Sequence, residues 1–189
     1  MIDMKRLLIM FVAAMLVTTS AQAQKQPTGI RMEVAEAETT NGEYSIFTYK
    51  DDEATFGYYL GVSRVLHLLG LIRDDITDAS FDIIREACLC LGSTSDEAFS
   101  MLDTLTDLLN QDVGTTAEFK GRTATGSERL GEPNIVVCVV EKKPLGGKRL
   151  RFLFTIGNRQ AHAYLTKTVV KELRAGFKID KKLHPKQHR

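Results

Sequence analysis

Cysteine is scarce in this 189-residue sequence, and its positive and negative charges nearly cancel. The three cysteines, Cys88, Cys90 and Cys138, are odd in number, so the chain can form at most one internal disulfide. A disulfide-stapled scaffold is therefore excluded. Basic stretches interleaved with aromatic residues are also missing, so we expect no nucleic-acid partner.

Common catalytic and nucleotide-binding motifs are absent too. The sequence contains no G-x-S-x-G, H-E-x-x-H, S-x-x-K, G-x-G-x-x-G or Walker phosphate-loop pattern. Their absence argues against the common hydrolase, zinc-protease and nucleotide-binding classes. We predict no cofactor.

The N-terminus has the three parts of a secretory signal. Lys5 and Arg6 precede an apolar run at residues 7–17, which is shorter than the roughly 20 residues that span a membrane. The Ala-Gln-Ala sequence at residues 21–23 matches a cleavage site, so we predict a signal peptide over residues 1–23. An uncleaved anchor or a buried helix is the alternative.

The predicted mature chain begins at Gln24, and this start resembles those of bacterial cell-envelope proteins. That resemblance implies a periplasmic or extracellular location. No cysteine near the cleavage site could carry a lipid, and no later apolar run is long enough for a transmembrane segment. Residues 24–189 suit one domain.

Charge is unevenly distributed along this mature chain. Residues 73–112 carry ten acidic and two basic side chains, whereas residues 113–189 carry seventeen basic and six acidic ones. Three arrangements fit this asymmetry: an acidic surface facing a basic one within the fold, a head-to-tail contact in a homo-oligomer, or two separate solvated faces.

The N-terminal half of the mature chain is mainly predicted as β-structure. Residues 30–34 alternate between apolar and charged side chains, and residues 44–49 and 55–62 are rich in aromatic and β-branched side chains. These three segments predict strands, with a turn at residues 40–42. The apolar segment 65–72 fits a buried strand or a short helix, and we favour the strand.

A helix is predicted in the middle of the chain. Thr94 and Glu97 form a capping-box pattern, apolar residues then recur at three- and four-residue intervals, and Gly114 can end the helix. Residues 117–124 predict a strand, and residues 125–133 predict a loop.

The C-terminal third predicts two strands, a helix and a tail. The run IVVCVV at residues 135–140 suits a central strand covered on both faces, and residues 150–156 form its hairpin partner. Asn158 is the predicted cap of a final helix. The apolar face of that helix is predicted from Ala161, Leu165, Val169, Leu173 and Phe177.

Together these elements predict an α+β fold, in which two amphipathic helices pack against a mainly antiparallel sheet. The domain would extend over residues 24–189, with a short polar leader at its start. A basic tail is predicted from about residue 179 to residue 189. This tail contains His184 and His188, and it could meet anionic lipid headgroups or serve as a disordered solubilising terminus.

The cysteines are the first candidate site. A strand at residues 81–91 would place Cys88 and Cys90 on the same face. Buried apolar thiols, a disulfide to Cys138, and a metal or redox site are the three interpretations, and the first is favoured because unpaired cysteine is usually buried.

Two further sets of residues are candidates for metal binding or catalysis. Oxygen ligands for calcium are offered by Asp74, Asp75, Asp78 and Asp82, although they lack EF-hand spacing and a solvated loop is the alternative. His67 and His162 are the candidate catalytic residues, but the sequence shows no partner for either, and a packed core histidine is the alternative.

These observations favour a non-catalytic binding or assembly protein of the bacterial cell envelope. Its partner would be an envelope protein or a glycan, bound by a sheet face or by the loop at residues 125–133. The alternative is an extracytoplasmic hydrolase with a non-standard active site that uses His67 or His162.

Overall fold

Nine β-strands and two α-helices form the part of the chain that the computed structural model describes, which is residues 29–39, 42–50, 56–63, 84–125, 129–156 and 159–188. The strands are β1 (Ile30–Thr39), β2 (Gly42–Lys50), β3 (Phe56–Ser63), β4 (Ile84–Gly92), β5 (Thr116–Thr125), β6 (Arg129–Leu130), β7 (Asn134–Lys142), β8 (Lys148–Ile156) and β9 (Arg159–Thr166). The helices are α1 (Ser95–Asn110) and α2 (Lys167–Leu183).

The strands form one sheet with an almost sequential order. The path is β1-β2-β3-β4-β5-β7-β8-β9, and β6 pairs with β5 beside it. Each pairing in this path is antiparallel. The fold is therefore α+β and is dominated by its antiparallel sheet, which agrees with the predicted class.

Helix α1 begins where the sequence predicts. Thr94 is the N-cap: its hydroxyl accepts a hydrogen bond from the Glu97 amide at 3.2 Å, and the Glu97 carboxylate accepts one from the Thr94 amide at 3.3 Å. The helix ends at Asn110, before the predicted stop at Gly114. Its buried residues are Ser95, Ala98, Leu102, Leu105, Leu108 and Leu109.

Both helices cover the same face of the sheet, because their buried residues form one core cluster with alternate residues of the strands. Helix α2 contacts both β1 and β9, the two end strands of the path. The sheet is therefore curled around the helices. Gly176 allows α2 to approach β1 closely, since a Cβ atom at this position would lie 3.0 Å from the Ala35 Cβ.

The acidic and basic parts of the chain meet within the fold. Lys181 Nζ of α2 lies 2.7 Å from Asp96 Oδ1 of α1, and Arg174 of α2 pairs with Asp103 of α1. These ion pairs join the acidic central segment to the basic C-terminal segment. The first of the three charge arrangements is thus present.

The predicted start of the last helix is wrong. Residues after 158 first form strand β9, and α2 starts only at Lys167, with Thr166 as its N-cap. Ala161 and Leu165 are four residues apart, as on a helix, but this stretch also alternates apolar and polar residues, as on a strand. The rest of the predicted apolar face is correct: Val169, Leu173 and Phe177 are buried on α2.

Two neighbouring expectations also need correction. Strand β7 is internal, but the described residues bury it fully on only one face: Val136 and Cys138 are buried, whereas Ile135 on the other face is 64% exposed. The helices cover one side of the sheet, so a uniformly apolar strand need not be buried on both faces. The predicted loop at residues 125–133 contains the short strand β6.

Residues assigned to a basic tail belong to the fold. Helix α2 continues to Leu183, and a turn follows at residues 185–188. His188 is buried, so the chain is held against the protein at this position. Leu183 is followed by a cap at His184, whose amide donates to the Asp180 carbonyl oxygen at 2.8 Å.

Candidate functional site

Only some of the predicted site residues can be placed. His67 and the acidic residues Asp74, Asp75, Asp78 and Asp82 lie outside the described residues, as does the apolar segment 65–72. His162 and the three cysteines lie within them.

His162 is on β9, with its side chain on the face of the sheet that the helices leave uncovered, because its neighbours Ala163 and Leu165 point into the core. Its Nδ1 atom is buried and has no hydrogen-bond partner in the described structure. Burial and the nearby Arg151 guanidinium lower the pKa of His162, and Glu141 partly opposes them. No carboxylate, serine or cysteine in the described ranges is hydrogen-bonded to its Nδ1 atom, so the partner that a catalytic base needs is not found among these residues.

The residues around His162 form a charged network. Glu141 lies between two arginines, with Oε2 at 3.1 Å from Arg149 Nη2 and Oε1 at 2.6 Å from Arg151 Nε. The Arg149 guanidinium also lies 3.8 Å from the centre of the Tyr164 ring. These charges are paired with one another, and they hold strands β7, β8 and β9 together across this face.

The cysteines divide between the two faces of the sheet. Cys88 and Cys90 share the helix-free face, as the strand prediction requires, and Cys138 lies in the helix-covered core. No disulfide joins the three, and burial raises the pKa of the Cys138 thiol to about 12. Around Cys88 and Cys90 the cluster contains Phe47, Tyr49, Tyr59 and Leu130.

Metal ligands are not gathered in the described structure: no group of three or more His, Cys, Asp or Glu side chains there could hold a metal ion. Cys88 and Cys90 have aromatic and aliphatic neighbours instead. Cys88 is buried and Cys90 is partly buried within this cluster.

A buried polar cluster fixes the C-terminal turn. His188 Nδ1 lies 2.9 Å from the Tyr58 hydroxyl, and His188 Nε2 lies 2.7 Å from Asp180 Oδ2. Asp180 Oδ1 lies 2.8 Å from His184 Nδ1, and the Ser95 hydroxyl donates to the His188 carbonyl at 3.3 Å. Burial and the negative charge of Asp180 raise the pKa of Tyr58 to about 12, so this hydroxyl keeps its proton.

This polar cluster has a structural role. The His188 side chain is only 1% exposed, and both of its ring nitrogens are occupied. A general base needs a nitrogen that faces a substrate, which His188 does not offer. We call Tyr58, Asp180 and His188 the C-terminal latch, since they join the last turn to α2 and β3.

A lysine-lined cavity of about 380 Å³ lies where α1 ends and α2 begins. Lys148 Nζ donates to the carbonyl oxygens of Asn110 and Gln111, and Lys167 Nζ donates to Asn110 Oδ1 at 3.3 Å. Helix α1 has no basic residue in its own last turn, so these lysines offset the negative end of its dipole. The ammonium groups of Lys148 and Lys167 are thus already bonded to groups of the protein itself.

Exposed apolar side chains are concentrated at one end of the molecule. Eight large hydrophobic side chains are exposed in the part of the chain that can be described, and five of them lie at this end. We call these five residues the end patch: Ile30 and Met32 of β1, Phe56 of β3, and Ile179 and Leu183 of α2.

The strand register brings the end patch together. Met32 pairs with Thr48, which pairs with Tyr58, and the Tyr58 ring packs 5.5 Å from the ring of Phe177. This row of residues therefore lies beside the C-terminal half of α2. The next row contains Ile30 and Phe56, on either side of Lys50.

The helical residues of the end patch lie on the side of α2 that carries Gly176. Gly176 meets Ala35 of β1, and Ile179 and Leu183 follow Gly176 by three and seven residues, so all three share one side of α2. Ile179 is 60% exposed and Leu183 is 67% exposed. The end patch thus joins an apolar stripe on α2 to the outer end of β1.

Sequence reasoning missed both the latch and the end patch. The sequence could have indicated part of the end patch, because Ile179 and Leu183 are large apolar residues four apart that lie outside the buried face of α2. It could not have indicated the partners of His188, because Tyr58 is 130 residues away in sequence.

Comparison with known proteins found no matching family model, no matching curated protein and no matching solved structure. In the described ranges, neither helix has the length and apolar character needed to cross a membrane.

Proposed function

We propose that this chain is an exported, non-catalytic binding or assembly protein of the bacterial cell envelope, and that it binds a protein partner through the end patch. The observation that carries the proposal is the grouping of five exposed apolar side chains at one end of the sheet and of α2. Scattered surface hydrophobic residues are common, whereas a contiguous group of them is typical of an interaction site.

Location is the second part of the proposal. The Lys5-Arg6 pair, the apolar run and the Ala-Gln-Ala sequence support export, followed by cleavage before Gln24. Mass spectrometry of the protein recovered from a bacterial envelope fraction should find an N-terminus at Gln24. An intact N-terminus on protein from the cytosol would contradict this part.

The chemical nature of the end patch favours a protein over a glycan. Its five side chains, four of them non-aromatic and one the aromatic Phe56, offer no hydroxyl, amide or charged group with which to bind the hydroxyl groups of a sugar. Large apolar side chains are suited to the apolar centre of a protein interface.

Retention of envelope proteins by the immobilised protein tests the proposal. We would compare the native chain with the double variant I179E/L183E and with a matched control, I135E/L145E, which places the same two charges on exposed apolar sites elsewhere. The native chain and the control should retain the same partner, and I179E/L183E should lose it by at least about tenfold, since a charge in an apolar interface is costly.

The outcome that contradicts the proposal is equally specific. If I179E/L183E retains every partner of the native chain, with an unchanged thermal midpoint, the end patch is not the binding surface. If I135E/L145E alone loses the partner, the binding surface includes β7 or the β7–β8 turn.

A further inference from the structure

We propose that the partner at the end patch is a second copy of this chain, joined through an antiparallel pair of β1 strands about a twofold axis at Met32. This inference rests on the proposed function, because it assigns an occupant to the same surface. It adds the identity of the partner, the symmetry and the register.

The first argument is the position of β1. It is ten residues long and is one end of the strand path, with β2 as its one strand neighbour among the described residues. The outer edge of such a strand presents main-chain amide and carbonyl groups that a further strand can pair with. The end patch begins on this same strand, so one partner can use both features.

The second argument is the charge pattern of β1. Around a twofold axis at Met32, antiparallel pairing places Arg31 of each copy opposite Glu33 of the other. Within one chain, Arg31 and Glu33 already lie 2.7 Å apart. Two such pairs with opposite directions would form a four-charge network with alternating signs, which favours this register.

The direction of these side chains supports the same arrangement. Arg31 pairs across the ladder with Tyr49, and Glu33 pairs with Phe47, so both charges are on the helix-free face. Met32 and Ile30 are on the helix-covered face. A twofold axis therefore brings charges together on one side of the new ladder and apolar side chains together on the other.

The third argument is the position of the α2 residues. Ile179 and Leu183 share the side of α2 on which Gly176 meets Ala35 of β1, so in a twofold pair we place them beside Ile30 and Met32 of both copies. Burying these side chains supplies the apolar contribution to binding. A surface that meets its own copy in this way is an isologous interface.

A bulge limits the length of the new ladder. The register between β1 and β2 shifts between Glu33 and Ala35. Bulges bend a strand and interrupt regular pairing, so the paired segment is centred on Met32, before the bulge.

Charge exchange tests this register by sedimentation velocity of the exported chain over a range of concentrations. The native chain should be a dimer. R31E places two pairs of carboxylates opposite each other, and E33R places two pairs of guanidinium groups opposite each other, so each variant should raise the dimer Kd by at least about tenfold. An equal mixture of R31E and E33R should form a heterodimer, because both contacts regain opposite charges.

Folding of the variants is checked by their thermal midpoints. Arg31 also lies 3.7 Å from the centre of the Phe47 ring, so R31E could destabilise the chain. E33R keeps this contact. If R31E does not fold, the single variants E33R and M32E are compared instead, and each should raise the dimer Kd by at least about tenfold while I135E leaves it unchanged.

Each result decides between the proposals. A native chain that stays monomeric, or a folded R31E and E33R mixture that stays monomeric, overturns the second-copy inference. If the chain is monomeric and I179E/L183E still loses an envelope protein, the proposed function stands and the partner is a different protein. A dimer that neither the charge variants nor I179E/L183E weakens overturns the assignment of this surface.

Discussion

The hydroxyl group of Tyr44 on β2 donates a hydrogen bond of 2.8 Å to the main-chain carbonyl of Tyr164 on β9. These strands lie near opposite ends of the sheet path, so the bond links the two ends of the curled sheet across the core. Burial raises the pKa of Tyr44, and the hydroxyl therefore remains a donor at neutral pH. It satisfies a carbonyl group on the last strand.

Removing the Tyr44 hydroxyl should destabilise the protein, because it breaks the link between β2 and β9. Y44F should lower the free energy of unfolding by about 1 kcal/mol, because it leaves the Tyr164 carbonyl without this donor. Urea unfolding followed by circular dichroism measures the change. Y164F is the matched control: it removes a hydroxyl but keeps the accepting carbonyl, and should change stability by less than about 0.5 kcal/mol. Equal effects of the two variants would refute this role.

The stability of the C-terminal latch should depend on His188 and not on the neighbouring His184. H188A removes the bonds to Tyr58 and Asp180 from a buried site, and should cost about 2 kcal/mol. H184A removes a bond to the same carboxylate from a side chain that is 51% exposed, and should cost less than about 0.5 kcal/mol. Denaturant unfolding measures both.

Hydrogen exchange supplies a local test of the same latch. The amides of His184 and Gln187, which donate main-chain hydrogen bonds in this turn, should lose protection in H188A and keep it in H184A. Similar protection in H188A and the native chain would mean that the turn is held by other contacts, such as the bond from Ser95 to the His188 carbonyl.

Stability should fall as the pH drops below about 6.5 because of His162. Its pKa in the fold is below the ordinary value of 6.5, so the unfolded chain takes up a proton first as the pH falls. The contribution of neutral His162 is complete above about pH 6.5 and is lost as the pH falls towards the lowered pKa. H162Q should flatten the pH dependence of the thermal midpoint. A steep slope in H162Q would assign the effect to another group.

Thiol labelling should distinguish the three cysteines. Cys90 is partly exposed, whereas Cys88 and Cys138 are fully buried and the pKa of Cys138 is raised to about 12. A thiol-reactive reagent should therefore modify Cys90 first in the folded protein, and the other two only after denaturant is added. Peptide mapping by mass spectrometry identifies the sites. Early modification of Cys138 would contradict its position in the core.

Local patterns in the sequence predicted much of the fold. The Thr94–Glu97 capping box located the start of α1, because both hydrogen bonds of the cap are made within four residues. Alternation of side chains placed Cys88 and Cys90 on one face. These features depend on near neighbours, so they can be recognised without knowledge of the tertiary structure.

The errors arose where one local pattern fits two structures. Ala161 and Leu165 satisfy both helical and strand periods, and the choice depends on whether β8 is available as a pairing partner. The run at residues 135–140 does not show which face the helices cover. His188 was assigned to a tail because its partners, Tyr58 and Asp180, become neighbours only when α2 packs on β3.

The candidate surface was predictable only in general terms. A binding protein was expected from the lack of catalytic motifs, and a sheet face or the loop at residues 125–133 was the expected surface. The end patch instead combines the edge of β1 with α2, which requires the strand register and the orientation of the helix.

The most direct test of the proposed function is photo-cross-linking in intact bacteria, with a light-activated residue placed at Leu183 or at Leu145. Both leucines are exposed, at 67% and 102% of the reference area, but only Leu183 belongs to the end patch. We predict a discrete protein adduct from position 183 and none from position 145, with twice the mass of the chain if the partner is a second copy. Absence of an adduct at position 183, from a protein exported in normal amounts, would contradict the account.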